Sequence, residues 1–386
     1  MIVERVKLGD IADFINGVAF KPADWAEDGK QIIRIQNLTD PSKPYNLTKR
    51  QVASKYEVMP GDLLVSWSAT LGVFIWSGAE TALVNQHIFR VVPDLNRVHP
   101  GYLRHMLEDA LIEMESHLHG ATMQHVNRGE FLATTIPLPP LAEQKRISAI
   151  LDAADDLRTK RRESLSQLDA LLQSTFLEMF GDPDELLTIA QLLDSRTLLL
   201  HKDGNHGSLY PRAEEFGAEG VPFISAKCVS DDGELLEREV QFLNESRARR
   251  LKIGWLNEGD VLLAHNASVG KTMLYQGNYP EALIGTSLTA FRPNPKILDS
   301  CFLLGALRSH RFQSALMSGM GQTTRNQVPI TAQRRLSLPV PPLNEQLKFR
   351  DLSHEVSNTK KLYFSQLKEL DTLFASLQSR AFRGEL

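Results

Sequence analysis

The sequence predicts an α+β (mixed α/β) protein in which two repeated globular domains are separated by two long helices that pair as an antiparallel coiled coil. Three observations lead there: an internal repeat, a strand pattern after a Gly-Asp turn in each copy, and a Leu-rich helical segment closing each copy.

The repeat comes first, because a missed repeat misassigns the whole fold. Ile136 to Gln144, IPLPPLAEQ, returns as LPVPPLNEQ from Leu338 to Gln346, an offset of 202 with six of nine positions identical. The same offset places Leu168-Asp169 on Leu370-Asp371, Phe180 on Phe382, and Gly120-Ala121-Thr122 on Gln322-Thr323-Thr324. Upstream, PGDLLVSWSATLG from Pro60 matches EGDVLLAHNASVG from Glu258 at an offset of 198, so a four-residue net insertion lies between. The chain therefore divides into globular domains at 1–141 and 182–343 and helical spacers at 142–181 and 344–386.

Each globular part opens with a turn-rich region. Apolar strands follow the Gly-Asp turns, at Asp62 to Ser66 and at Asp260 to Ala264. A helix is expected near Gly101 to Leu118 and near Ser300 to Met317, then a short strand that stops at the Pro-Pro pair, where proline ends one element and starts the next. Beyond the prolines, Ile150, Ala154, Leu157, Arg161, Ser164, Leu168, Leu171 and Thr175 recur by fours and threes. So do Leu352, Val356, Thr359, Tyr363, Gln366, Leu370, Leu373 and Leu377. A heptad-like stripe predicts two helices packed on each other, with two separate amphipathic helices, each lying on its own domain, as the alternative.

Composition narrows the class. The chain has 386 residues, 42% hydrophobic and 23% charged, which suits a globular protein and not a disordered one. Its only cysteines, Cys228 and Cys301, lie far apart without CxxC spacing, so neither a disulfide framework nor a thiolate zinc site is expected. An N-terminus without an apolar signal core, and the lack of eighteen consecutive apolar residues, predict a cytoplasmic protein and no membrane partner. The net charge of -4 argues against a chain that grips DNA alone, since that affinity comes from neutralising phosphates. Neither globular part is basic: 1–141 carries 13 basic and 16 acidic side chains, and 182–343 carries 17 and 18.

Catalytic motifs are broken. Gly270-Lys271-Thr272 lacks the glycine a phosphate-binding loop needs five residues earlier, where His265 stands, and its counterpart in the first copy reads Gly72-Val73-Phe74. His117, His119 and His125 could suggest a metal, yet their counterparts are Gly319, Gly321 and Gln327. Asp28-Gly29-Lys30 is half of a nuclease motif without its Pro-Asp. There is no GxGxxG after a strand and no Asn-Pro-Pro-aromatic motif, so no cofactor, no metal and no catalytic residue is assigned to this chain.

The order globular part, PLPPLxEQ, long helix, globular part, PxPPLxEQ, long helix resembles the type I restriction-modification specificity (S) subunit family over the full chain. The paired PPLxEQ is the most specific feature. The resemblance implies that each globular part is a target recognition domain and that the helices hold the two domains apart. A helix from Glu143 to Phe180 has 38 residues, roughly 57 Å at about 1.5 Å per residue. Two such readers imply a bipartite DNA target with an unread gap, asymmetric because the two copies differ in their loops. The resemblance further implies a non-catalytic subunit that works on double-stranded DNA with two methyltransferase (M) subunits and with restriction/translocase (R) subunits. S-adenosylmethionine, ATP and Mg are then expected on those partners. A methyltransferase-only or phage-exclusion system, and a coiled-coil scaffold without DNA readout, remain the alternatives, ahead of a stand-alone nuclease or NTPase.

Base reading calls for polar side chains on exposed loops. The loop after the Gly-Asp strand offers Trp67, Ser68 and Thr70 in the first copy, and His265, Asn266, Ser268 and Lys271 in the second. The loop before the final strand offers Thr122, Gln124, His125 and Asn127, and Gln322, Thr323, Thr324, Arg325 and Asn326, beside Gly120, Gly319 and Gly321. These stretches also read as ordinary polar turns. Arg247, Arg249 and Arg250, with Lys252, form a basic run suited to phosphates or, equally, to a solvated helix face.

Overall fold

The computed structural model describes residues 4–386 apart from 41, 118–126, 182, 184 and 321–326. Its contacts divide the chain into two units. Unit 1 is Met1–Arg162 with Ser365–Leu386, and unit 2 is Glu163–Phe364. Each unit thus takes one part of each long helix along with its globular part.

In unit 1 the strands Ala12–Asn16, Ile88–Pro93, Leu63–Ser66 and Gly72–Ile75 lie in that order in an antiparallel sheet. Leu63, Leu64 and Val65 follow a turn in which Gly61 takes φ +92° and the Asp62 Oδ2 accepts from the Met59 N–H at 2.9 Å. A side chain at 61 would strain that turn, and an aspartate closes it by bonding its own backbone nearby. The strand is buried on both faces, which accounts for its unbroken apolar run. A second sheet orders Asn46–Thr48, Lys30–Ile33, Ala82–Val84 and Glu57–Val58, and its middle pair is parallel. Arg5–Lys7 pairs with Thr135–Pro137. The helix Pro100–His117 lays Tyr102, Leu103, Met106, Leu107, Ala110 and Leu111 on the core, the spacing of one helical face.

Unit 2 repeats this plan. Leu198–Asp203, Leu288–Pro293, Val261–Ala264 and Thr272–Leu274 form the antiparallel sheet. Phe216–Gly217, Gln241–Leu243, Val221–Ile224 and Leu283–Ile284 form the second sheet, again with one parallel pair. Leu187–Thr188 pairs with Ser337–Leu338. One departure from the expected elements concerns the closing helix, which is two helices, Ser300–Arg308 and His310–Ser318. Ser309 breaks it: its hydroxyl accepts from the Phe312 N–H and caps the second segment, while Gln313 Nε2 donates to the freed Leu307 carbonyl at 2.7 Å. Both cysteines are free and buried, and burial pushes the Cys301 thiol up to about 11.

The long helices run over Leu141–Phe180 and Leu343–Arg383. In unit 2 Phe176 packs on Phe349 and Asp169 pairs with Lys360 at 2.7 Å, so numbers fall along one helix as they rise along the other, and the pairing is antiparallel. In unit 1 Arg158 reaches Asp371 at 2.7 Å and lies over the Phe374 ring. Of the expected stripes, Ala154 and Val356 are buried and most other positions, among them Ile150, Leu168, Leu352 and Leu370, are half-buried, while Ile147, Leu151, Leu165 and Phe176 add buried positions beside the first stripe. Leu157 and Leu171 are 53% and 48% exposed, and Leu373 also faces solvent.

The repeated PPLxEQ is explained by its glutamine. Gln144 is fully buried; its Oε1 accepts from the His99 N–H at 2.8 Å, and its Nε2 donates to the Arg97 and Pro139 carbonyls. Gln346 makes the same three bonds, to the Asp299 N–H and to the Ile297 and Pro341 carbonyls. The motif bolts each long helix to the loop before the closing helix.

Candidate nucleic-acid interface

The loops after the Gly-Asp strands share one backbone device. Ala69 has φ +60° and its counterpart Ala267 has φ +64°, a left-handed conformation uncommon for a residue with a Cβ. Two copies of one strained turn, with different side chains around it, are a mark of a site where backbone shape is kept and chemistry varies.

In unit 1 the Ser66 hydroxyl holds the turn by donating to the Thr70 carbonyl at 2.5 Å. Trp67 stacks on Phe89 with ring centroids 5.7 Å apart and lies against His87. Thr70 is exposed, whereas Ser68 is buried at 6% exposure. Asn127 caps the helix Arg128–Ala133 by accepting from the Gly129 N–H, and Arg128 lies over the Phe89 ring. Phe89 therefore gathers Trp67, from one candidate loop, and Arg128, just beyond the other.

In unit 2 the gathering is by backbone. Asn266 and Gln327 form an antiparallel bridge, and the Val328 N–H donates to the His265 carbonyl at 2.9 Å. The candidate loop around Ala267 thus meets the segment that follows residue 326. Asn266 and Ser268 are half-buried. His265, expected to read bases, is instead buried, with Nδ1 against the Thr289 hydroxyl at 2.8 Å, and burial pushes its titration down. Lys271 pairs with Asp231 at 2.7 Å.

The basic run is spoken for in part. Arg247 pairs with Glu215 at 2.7 Å and donates to the Leu209 carbonyl. Arg249 bridges Glu281 and Glu245 over the Trp255 ring. Arg250 and Lys252 are exposed. Thr122, Gln124, His125, Gln322, Thr323, Thr324, Arg325 and Asn326 lie outside the described residues, as do His119, Gly120 and Gly321. Arg128 and Gln327 were not among the residues singled out by sequence. Gln327 could have been, since it is the counterpart of His125 in the repeat. Among the described residues there is no group of three or more His, Cys, Asp or Glu placed to hold a metal ion, and no helix is long and apolar enough to cross a membrane.

The type I restriction modification DNA specificity domain matches this chain twice, over residues 3–167 and 206–370. The chain belongs to that family. It is a type I restriction-modification specificity subunit with two target recognition domains. Along 99% of its length it is 24% identical to the EcoBI specificity subunit of a type I restriction enzyme from Escherichia coli, covering 86% of that protein. It is 22% identical to the MjaVIII specificity subunit from Methanocaldococcus jannaschii, covering 92% of it. Among solved structures, the S subunit of a type I restriction-modification system from M. genitalium has the same fold, with a TM-score of 0.54 at 15% identity over 99% of this chain and 96% of that one. A chain from a structure describing assembly and conformational transition of a type I R-M system reaches 0.55 at 20% identity, covering 99% and 98%.

Proposed function

We propose that this specificity subunit binds double-stranded DNA at a bipartite, asymmetric target, one recognition domain per half-site. On this reading it has no catalytic residue. It directs N6-adenine methylation by two M subunits, and translocation and cleavage when R subunits join. S-adenosylmethionine, ATP and Mg then belong to those partners.

One observation carries the reading: the same left-handed turn, at Ala69 and at Ala267, is offered by two copies of one fold with different chemistry around it. Trp67 and Thr70 flank the first, and Asn266, Ser268 and Lys271 the second. Such a pair reads two unlike half-sites with one geometry. Thr122, Gln124, His125, Asn127, Gln322, Thr323, Thr324, Arg325 and Asn326 complete the proposed surfaces. Arg250 is the exposed phosphate contact, and Arg247 and Arg249 stiffen the segment that carries it. A net charge of -4 fits a subunit whose M partners supply most of the charge facing the phosphates.

Methylome sequencing of a host expressing this chain with its M subunit, against one with the M subunit alone, tests the proposal. A bipartite adenine-methylated motif appearing only with this chain is expected. An unchanged methylome, with the complex shown to form, would leave the scaffold reading, which the pairing of Arg247, Arg249 and Lys271 with carboxylates favours. Restriction of unmodified phage separates a cleaving system from a methyltransferase-only one.

A further inference from the structure

Asn266 and Gln327 face each other across an isolated antiparallel bridge, with the Val328 N–H bonded to the His265 carbonyl. A hydrogen bond between the residues flanking the pair marks the non-hydrogen-bonded type, in which the Cα atoms approach to about 4.5 Å and both side chains leave the same face. Two carboxamides therefore stand side by side. Both residues are half-buried, and neither side chain is hydrogen-bonded to any of the described residues.

What lies behind them is more elaborate than a loop closure requires. Gln333 is fully buried; its Nε2 donates to the Val328 carbonyl at 3.0 Å and its Oε1 meets His201 Nε2 at 3.2 Å. His265, also buried, is held by Thr289. Buried polar groups are costly unless satisfied, and here they fix the backbone at 265 and at 328, one residue from each carboxamide. Ala267, at φ +64°, sets the turn on the other side.

A carboxamide offers one acceptor and a donor pair in one plane, the complement of the N6–H₂ and N7 pattern on the major-groove edge of adenine. We propose that Asn266 and Gln327 form a single reading head for the second half-site, each amide bonding the major-groove edge of an adenine at neighbouring positions. The inference rests on the DNA-reading role proposed above and assigns to it Gln327 and its pairing with Asn266.

The test uses the full chain in complex with its M subunits, selecting methylated sites from a randomised DNA pool. Asn266→Asp and Gln327→Glu keep shape and reverse donor to acceptor. Each should move one position of the second half-site from adenine toward cytosine, whose N4 amino group donates to a carboxylate, and should lower methylation of the parental site roughly tenfold to a hundredfold. Asn266→Ala and Gln327→Ala should relax those same positions. Preference at the first half-site, unchanged throughout, reports that the complex is intact, and the isosteric pair keeps the test decisive even where an alanine variant fails to fold. Unaltered second half-site preference in the isosteric variants, or a weakening spread evenly over every base of that half-site, would overturn the assignment. A wild-type complex without any bipartite preference would instead overturn the DNA-reading role itself, and that arm is read first.

Discussion

Arg292 grips the Asp260 carboxylate with two parallel hydrogen bonds, Nε to Oδ1 and Nη2 to Oδ2, both 2.7 Å long. In unit 1 Arg90 Nε donates a single hydrogen bond to Asp62 Oδ2 at 2.8 Å. The arginines are not in register. Leu64 lies opposite Arg90, but its counterpart Leu262 lies opposite Ala290, so Arg292 sits two residues farther along its strand. Strand side chains repeat every two residues, so the guanidinium leaves the same face in both units, and the aspartate of the turn keeps its partner. The Asp260 side chain is 0% exposed and that of Asp62 is 24% exposed. Arg292→Met should therefore cost about 3–5 kcal/mol, the penalty for stranding a buried charge, whereas Arg90→Met should cost about 1 kcal/mol. Denaturant titrations of the two variants check this, and equal losses would contradict it.

The glutamine bolts allow a second test. Gln346→Ala deprives the Asp299 N–H and two carbonyls of their partner, a loss on the order of 3 kcal/mol. Gln144→Ala should match it, because the three bonds of unit 1 are the same in kind. Denaturation curves that differ little from wild type would show that water replaces the amide at no cost.

Gly305 predicts a packing limit. A Cβ there would meet Phe176 Cδ2 at 2.8 Å and Phe349 Cε1 at 2.9 Å, within the cluster where Phe176, Phe180, Phe302 and Phe349 meet. Gly305→Ala should destabilise unit 2 by about 1–3 kcal/mol through overpacking, and Phe176→Ala by about 3–5 kcal/mol through the cavity it leaves. A thermal shift near zero for both would mean that the helix pair is not anchored there.

His201 makes unit 2 sensitive to acid. Burial pushes its titration from 6.5 down to about 4, so as pH falls the unfolded chain takes the proton before the folded one does. Stability is whole above about pH 6.5 and drains away toward pH 4, by about 3 kcal/mol in full. His265 acts in the same direction. Urea titrations at pH 7 and pH 4.5 should show a larger drop for wild type than for His201→Gln, and parallel drops would remove His201 as the cause.

What the residues disclosed in advance was mostly what repeats. The Gly-Asp strands, the PPLxEQ helices and the twofold plan are spelled out by local chemistry: a turn glycine, a closing aspartate, an apolar run, a proline stop. A heptad count weighs leucines such as Leu157 and Leu171 that in fact face solvent, and passes over Phe176 and Phe374, which are buried beside Phe302 and His105 of the globular parts. The break at Ser309 depends on Gln313 reaching back to a carbonyl, which no periodicity reveals. The basic run looked free because the partners of Arg247 and Arg249, Glu215 and Glu281, lie 32 residues away along the chain. His265 looked like a reader because its partner Thr289 comes from a neighbouring strand.

The division of the chain has a temporal side. Unit 2 is a single continuous stretch, Glu163–Phe364, but unit 1 needs Ser365–Leu386, whose Phe374 and Ala381 belong to its core. On the ribosome, the recognition domain that emerges first must wait with an unfilled apolar seat until the later one has been made in full. The domain begun first is the last to be finished, and a chain released early would carry one complete reader and one open one.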